Sequence, residues 1–222
     1  MNNSVYQQLI LDLRSIPSMG RNDYFVSDVN KEAVTWLDAW PNWTTFGFIV
    51  CGPLGSGKSH LAQVLKTLSH GYIIEAKDVS DQNIDQLSKK KCLIIENIEL
   101  FTSETLLFHL YNMLLENKNN LMITSKLTMS QISFELPDLK SRLLSLPQVN
   151  LGFPDDRLLK NLLIKQFLDK GILVEMDVIE YLIKRIDRSF EAISKLVSKI
   201  DFKSLEKAKK ITIPFIKNTI KL

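Results

Sequence analysis

The chain has 222 residues, 45% of them apolar, and a formal net charge of +3. That length and apolar content suit one large domain, or one domain with a smaller appendage, and exclude disorder as the main state. No apolar run approaches the roughly 18 residues of a membrane span, and the first residues, which include Asp12 and lack a basic segment, do not read as a secretory leader. The compartment this implies is the cytoplasm, with no membrane role.

Pro17 and Gly20 punctuate the start of the chain, and no hydrophobic period is sustained there, so residues 1–20 read as an arm. Ala33, Val34, Leu37 and Trp40 recur at helical spacing until Pro41 stops the helix. Residues 46–51, FGFIVC, form a short apolar run rich in β-formers that reads as a buried strand. Helix over 58–68, strand over 72–74, short helix over 83–88, strand over 92–95, helix over 103–117 and strand over 121–124 follow, with another short strand at 149–151. Such β-α alternation predicts a parallel sheet with helices on both faces.

After Pro154 the period becomes helical throughout. Leu158, Leu159, Leu162, Leu163 and Phe167 define one amphipathic helix, and Val178, Leu182, Ile183 and Ile186 a second. Ala192, Ile193, Leu196, Val197 and Ile200 define a third, and Pro214 fits the first turn of a short fourth. The expected layout is therefore the arm, an α/β base over 21–153 and an all-helical lid over 154–222. Cys51 and Cys92 lie inside apolar runs and read as reduced core thiols. Residues 199–222 carry seven lysines against Asp201 and Glu206, a local net of +5, which serves either as a solvated helix face or as an attraction for nucleic-acid phosphates.

The motif with the strongest chemistry is residues 52–59, GPLGSGKS. It follows a predicted buried strand and opens a predicted helix, which is the context a phosphate-binding P-loop needs. The glycines let backbone N–H groups turn inward toward phosphate oxygens, and the helix dipole points its positive end at the same anion. Gly52, Pro53, Leu54, Gly55, Ser56, Gly57, Lys58, Ser59 and the following His60 are the expected phosphate-binding set. Lys58 supplies a charge for the β- and γ-phosphates, and the Ser59 hydroxyl a ligand for Mg2+. Glu96, at the end of the 92–95 run, is placed like the acid that reaches the same magnesium in P-loop ATPases, or like a cap on the next helix. Asn97 follows it; an amide can orient a water but cannot take its proton, so hydrolysis by the chain itself should be slow.

These residues, with the string over 20–27 (GRNDYFVS), Leu136 to Leu143 (LPDLKSRL) and residues 211–222, resemble the DnaA family of AAA+ proteins over nearly the whole chain. The resemblance is stronger to the family's stand-alone paralogues, because the sequence ends without a helix-turn-helix domain for reading DNA. It implies an AAA+ α/β base with helices on both faces of a P-loop parallel sheet and a small all-helical lid. It also implies bound ADP or ATP with Mg2+. Tyr24, Phe25 and Val26 would line the adenine pocket, and Thr124 and Ser125 would occupy the first sensor position, where Lys126 departs from the family's usual Asp. Arg188 would be the lid arginine that contacts the chain's own nucleotide. Arg142 would be an arginine finger acting in trans.

Gln8, Leu9, Leu11 and Leu13 resemble the family's clamp-binding peptide, with Asp12 departing from a frequent proline. The implied function is that of an adaptor docked on the DNA-loaded sliding clamp, the β subunit of DNA polymerase III. From there it would stimulate ATP hydrolysis by DnaA and so restrain replication initiation. On this reading the protein is a weak ATPase at most. DNA is met mainly through the clamp, and assembly is as a homodimer or with DnaA. The alternatives are a DnaC-like helicase loader that binds DNA through the lysine-rich end, or an autonomous P-loop ATPase.

Overall fold

A computed structural model describes residues 25–207 and 209–219. Gln8, Leu9, Leu11, Leu13 and Tyr24 lie outside the described residues. Five strands, β1 (Gly47–Cys51), β2 (Tyr72–Glu75), β3 (Cys92–Glu96), β4 (Asn120–Ser125) and β5 (Gln148–Asn150), form one parallel sheet in the order β2-β3-β4-β1-β5. Helices α1 (Lys31–Asp38), α2 (Lys58–Ser69), α3 (Ile84–Ser88), α4 (Glu104–Glu116) and α5 (Pro137–Ser145) connect and cover it.

The continuous apolar runs are explained by the period of two along a strand that is buried on both sides. Ile49 and Cys51 of β1, Leu93 and Ile95 of β3, and Leu121 and Ile123 of β4 face one core, which Leu107, Leu110 and Leu114 of α4 close. Phe48 and Val50, Cys92 and Ile94, and Met122 face the other, closed by Ala33, Val34 and Leu37 of α1 and Leu61, Val64 and Leu65 of α2. Burying each of the Val, Leu, Ile, Phe and Met side chains among these contributes about 1.5–3 kcal/mol. The stacked pair of Trp36 and Phe48, with centroids 4.9 Å apart, ties α1 to the sheet, and Trp43 sets its edge on both rings. Both cysteine thiols are free and buried, and burial pushes each up to about 11, which leaves them poor nucleophiles.

Two strands run past their apolar stretches. β2 ends at Glu75 and β3 at Glu96, because the parallel ladder pairs these two residues and backbone pairing is indifferent to side-chain polarity. α1 is shorter than its apolar spacing suggested and stops at Asp38, leaving Trp40 beyond its end to pack edge-on against Trp43.

Residues 156–219 are helical in α6 (Asp156–Asp169), α7 (Met176–Ile183), α8 (Phe190–Lys207) and α9 (Ile213–Thr219). Asp155 caps α6 by accepting the Leu158 N–H at 2.7 Å. Leu159, Leu163, Phe167, Leu182, Ile193, Val197 and Ile216 form a third core, separate from the two that sandwich the sheet. Phe25 and Val29 pack against this third core from the start of the described chain. The segment carrying them is fastened by Asn30, which is buried, accepts from the Ser27 N–H at 2.8 Å and donates to the Phe25 carbonyl at 2.8 Å.

Candidate nucleotide site

The loop over 52–57 leaves β1 at the centre of the sheet and runs directly into α2. Gly55 and Gly57 have φ of +78° and +97°, backbone conformations open to glycine and strained for other residues. Gly57 is the N-cap of α2, so the start of that helix points into the loop it closes. Lys58 is buried, and its Nζ donates to the carbonyls of Gly52 at 2.6 Å and Pro53 at 2.9 Å. Burial pushes its pKa down, and the carboxylate of Glu99 opposes that most strongly. Ser59 is exposed at the mouth of the loop. Ser56 Oγ and Glu96 Oε1 are buried without a hydrogen-bond partner among the described residues.

This donor set fits a magnesium–nucleotide group. A buried ammonium, an exposed hydroxyl, a carboxylate oxygen with unused acceptor capacity and a glycine cradle suit a phosphate chain and a hard cation. Ser59 and Glu96 line a common cleft of about 730 Å³, shared with His60 and Gln63 of α2, Leu162 and Gln166 of α6, and Phe190 and Ser194 of α8.

The carboxyl ends of three adjacent strands meet beside the loop. Asn97, which follows β3, has φ of +56°, and its N–H donates to Thr124 Oγ1 of β4 at 3.1 Å. Its side-chain amide donates to Glu75 Oε2 of β2 at 2.9 Å. Thr124 and Ser125 are buried, and the Ser125 carbonyl accepts the Gly52 N–H at 3.0 Å, joining β4 to the phosphate loop. Lys126 turns away to Glu99, whose Oε2 accepts the Lys126 N–H at 3.3 Å and whose Oε1 lies 3.8 Å from Nζ.

Sequence reasoning missed Glu75 and Glu99. Glu75 stands one residue beyond an apolar run that carries no motif. Glu99 sits in a short 3-10 turn, Ile98–Leu100, three residues after Glu96, a spacing that could have drawn attention to it.

The lid meets the loop through residues to which sequence reasoning assigns no role. The Phe190 N–H donates to the Gly55 carbonyl at 3.1 Å. A Cβ at Gly55 would fall on the Ser189 side chain, and one at Gly57 would lie 2.8 Å from the Phe190 ring. Ser189 in turn caps α8 by accepting the Ala192 N–H at 3.0 Å. The adjacent Arg188 is aimed at the hinge: its Nη2 lies 2.6 Å from Asp156 Oδ1, and its Nη1 donates to the Pro154 carbonyl at 3.5 Å. Val26, half exposed, lines a shallow depression with Ser27, Lys31 and Arg157 where the N-terminal segment crosses the start of α6.

Arg142 lies on α5, whose start is fixed by the Glu104 carboxylate accepting the Glu135 and Leu136 N–H groups at 3.0 and 2.6 Å. Its guanidinium rests over the rings of Phe108 and Tyr111, 5.6 and 5.7 Å from their centroids. These aromatic partners belong to α4 and not to the phosphate loop.

The fold and the loop together define a P-loop α/β protein with a helical lid, an AAA+-like fold. Domain III of the Thermotoga maritima replication initiation protein DnaA superposes with a TM-score of 0.76 at 17% identity, covering 93% of this chain and 98% of that one. DnaA from Aquifex aeolicus, solved with AMPPCP, gives a TM-score of 0.70 at 16% identity over 86% of this chain and 68% of that one. The Thermotoga maritima Holliday junction branch migration motor RuvB gives 0.70 at 18%, over 86% and 67%. Outside the isolated domain III, the chain thus spans about two thirds of the length of the DnaA chains it matches.

Residues 156–220 match the family model for the Hda lid domain. The C-terminal helical region is thus similar to the Hda lid domain, and the described chain as a whole shares the fold of DnaA domain III.

Proposed function

We propose that the chain is a nucleotide-binding regulator of replication initiation. On this reading it holds ADP or ATP at its own P-loop and delivers Arg142 to a nucleotide bound by DnaA. Lys58 and the N–H groups of the 52–57 loop would hold the phosphates, and Ser59 and Glu96 would hold Mg2+, which supplies charge neutralisation there.

The observation that carries this reading is the amide at position 97. Asn97 stands beside Glu96, and its NH2 is committed to Glu75. It can orient a water and cannot accept its proton, so the chain's own site is built to hold nucleotide more than to turn it over. Arg142 fits the complementary role. It has no phosphate-loop partner among the described residues and is kept at the surface of the base on two aromatic rings. A second protein could meet it there, and a guanidinium would stabilise charge developing on that partner's γ-phosphate. The Hda lid and the DnaA-like fold support DnaA as that partner. Docking on the sliding clamp through Gln8, Leu9, Leu11 and Leu13 completes the proposal. It rests on the sequence resemblance of that peptide, an extended segment with one polar and two apolar anchors.

The test combines ATP-loaded DnaA, clamp loaded on DNA, and this protein as wild type or Arg142→Ala, and follows conversion of bound ATP to ADP. Clamp-dependent acceleration is expected with the wild type. The variant should lose the arginine finger's contribution, about 10³-fold in rate. Equal rates with both proteins would remove Arg142 from the mechanism.

A further inference from the structure

The bond between Asn97 and Glu75 joins two strand ends that lie 22 residues apart in the sequence. A carboxylate only accepts hydrogen bonds, so the group of Asn97 that faces Glu75 must be its NH2, here at 2.9 Å from Oε2. That choice fixes the other end of the same amide. Oδ1 is turned away from Glu75, and the backbone of Asn97 is held independently by the bond from its N–H to Thr124 Oγ1 at 3.1 Å. The register places Glu75 directly opposite Glu96, whose Oε1 is buried without a hydrogen-bond partner among the described residues. Two acids and one amide therefore gather at the paired ends of β2 and β3, and of the three Glu96 lines the cleft.

We propose that Glu75 is a positioning residue of this site: its carboxylate holds the Asn97 NH2 and so leaves Oδ1 as the free end of the amide beside Glu96, and the pair, not Asn97 alone, keeps the site slow. This inference rests on the reading of Asn97 given above. Its consequence is specific. An acid cannot simply be placed at position 97, because it would meet the Glu75 carboxylate at hydrogen-bond distance with no proton donor between them, and like charges so close repel strongly. An acid is accepted there only when position 75 becomes the donor. The two side chains can exchange chemistry at constant length, with an amide at position 75 donating to a carboxylate at position 97. In that arrangement the second oxygen of the new carboxylate is left free beside Glu96 and can take the proton of an attacking water, which the native amide cannot.

The experiment is a double-mutant cycle on the full chain with Glu75→Gln, Asn97→Asp and the pair E75Q/N97D. Folding stability of the nucleotide-free protein is measured at pH 7.5, and ATP hydrolysis is measured separately. E75Q keeps an acceptor for the amide, so it should fold nearly as well as wild type. N97D should lose about tenfold or more in its folding equilibrium constant, and E75Q/N97D should regain most of it. The coupling isolates the contact between the two side chains. In hydrolysis, E75Q/N97D should exceed N97D by about tenfold in kcat with little change in KM, a split that a purely structural bond would not produce.

Equal stability of N97D and E75Q/N97D would overturn the contact. Recovery of stability with equal kcat in the two would overturn the positioning role. Neither result depends on DnaA or the clamp, so a failure here is distinct from a failure of the adaptor reading.

Discussion

The base and the lid are built by different rules, and they meet at two glycines. In the base, each central strand feeds two cores, so every residue of β1 is buried and the helices are laid over a surface already complete. In the lid there is no such platform. α6, α7, α8 and α9 bury a single shared cluster, and each depends on the others for its apolar face. The residues proposed to hold nucleotide lie on the base, at the ends of β1, β3 and β4. The lid contributes a cover: Ser189 and Phe190 lie on Gly55 and Gly57.

The sharpest way to break this division is to damage the lid core alone. Phe167 is 1% exposed and packs at the centre of the third cluster. Phe167→Ala should cost about 3–5 kcal/mol of lid stability by transfer and cavity terms. Hydrogen exchange should then show α6 to α9 losing protection while β1, β3 and β4 keep theirs. Uniform loss across the sheet and the lid would mean that the two regions fold as one cooperative unit.

The complementary change is on the base. Lys58→Ala removes a buried ammonium that spans the Gly52 and Pro53 carbonyls. Charge-assisted bonds to phosphate lost with it should weaken nucleotide binding by about 10²-fold, near 3 kcal/mol. The lid should stay folded, as read by helical circular dichroism. Titration with a fluorescent ADP analogue measures the affinity, and undiminished binding would move the phosphate site away from this loop.

The contrast also explains which parts of the molecule are legible in the amino-acid sequence. The P-loop is legible because its chemistry demands glycines and a lysine at fixed spacing in one short segment. The lid helices are legible from leucines and isoleucines at helical period. The sheet strands are legible because burial on both faces leaves unbroken apolar runs such as residues 47–51. What stays hidden is set by contacts between distant segments. Glu75 matters only because β2 and β3 pair in a register that sets it opposite Glu96. Ser189 and Phe190 matter only because α8 starts over a loop from far earlier in the chain, and their own neighbourhood reads as an ordinary helix start. Arg188 stands out by its motif, but that motif carries no information about Asp156, which holds its guanidinium at the hinge.

That last ion pair gives the smallest expected effect on stability and the finest probe of how lid and base communicate. The side chains of Arg188 and Asp156 are 50% and 69% exposed, so solvent screens their attraction, and Asp156→Ala should change folding stability by no more than about 1 kcal/mol. If Arg188 meets a nucleotide phosphate, as the family resemblance implies, Asp156 competes for the same guanidinium. Removing it should leave Arg188 tethered only weakly, to the Pro154 carbonyl, and should tighten nucleotide binding by a few-fold, an effect of the same order as one exposed ion pair. The tightening should fade as salt is raised, because both interactions of the arginine are electrostatic. Unchanged affinity in Asp156→Ala at low salt would leave Arg188 as a brace of the hinge. In that case communication between lid and loop would run through Ser189 and Phe190 alone.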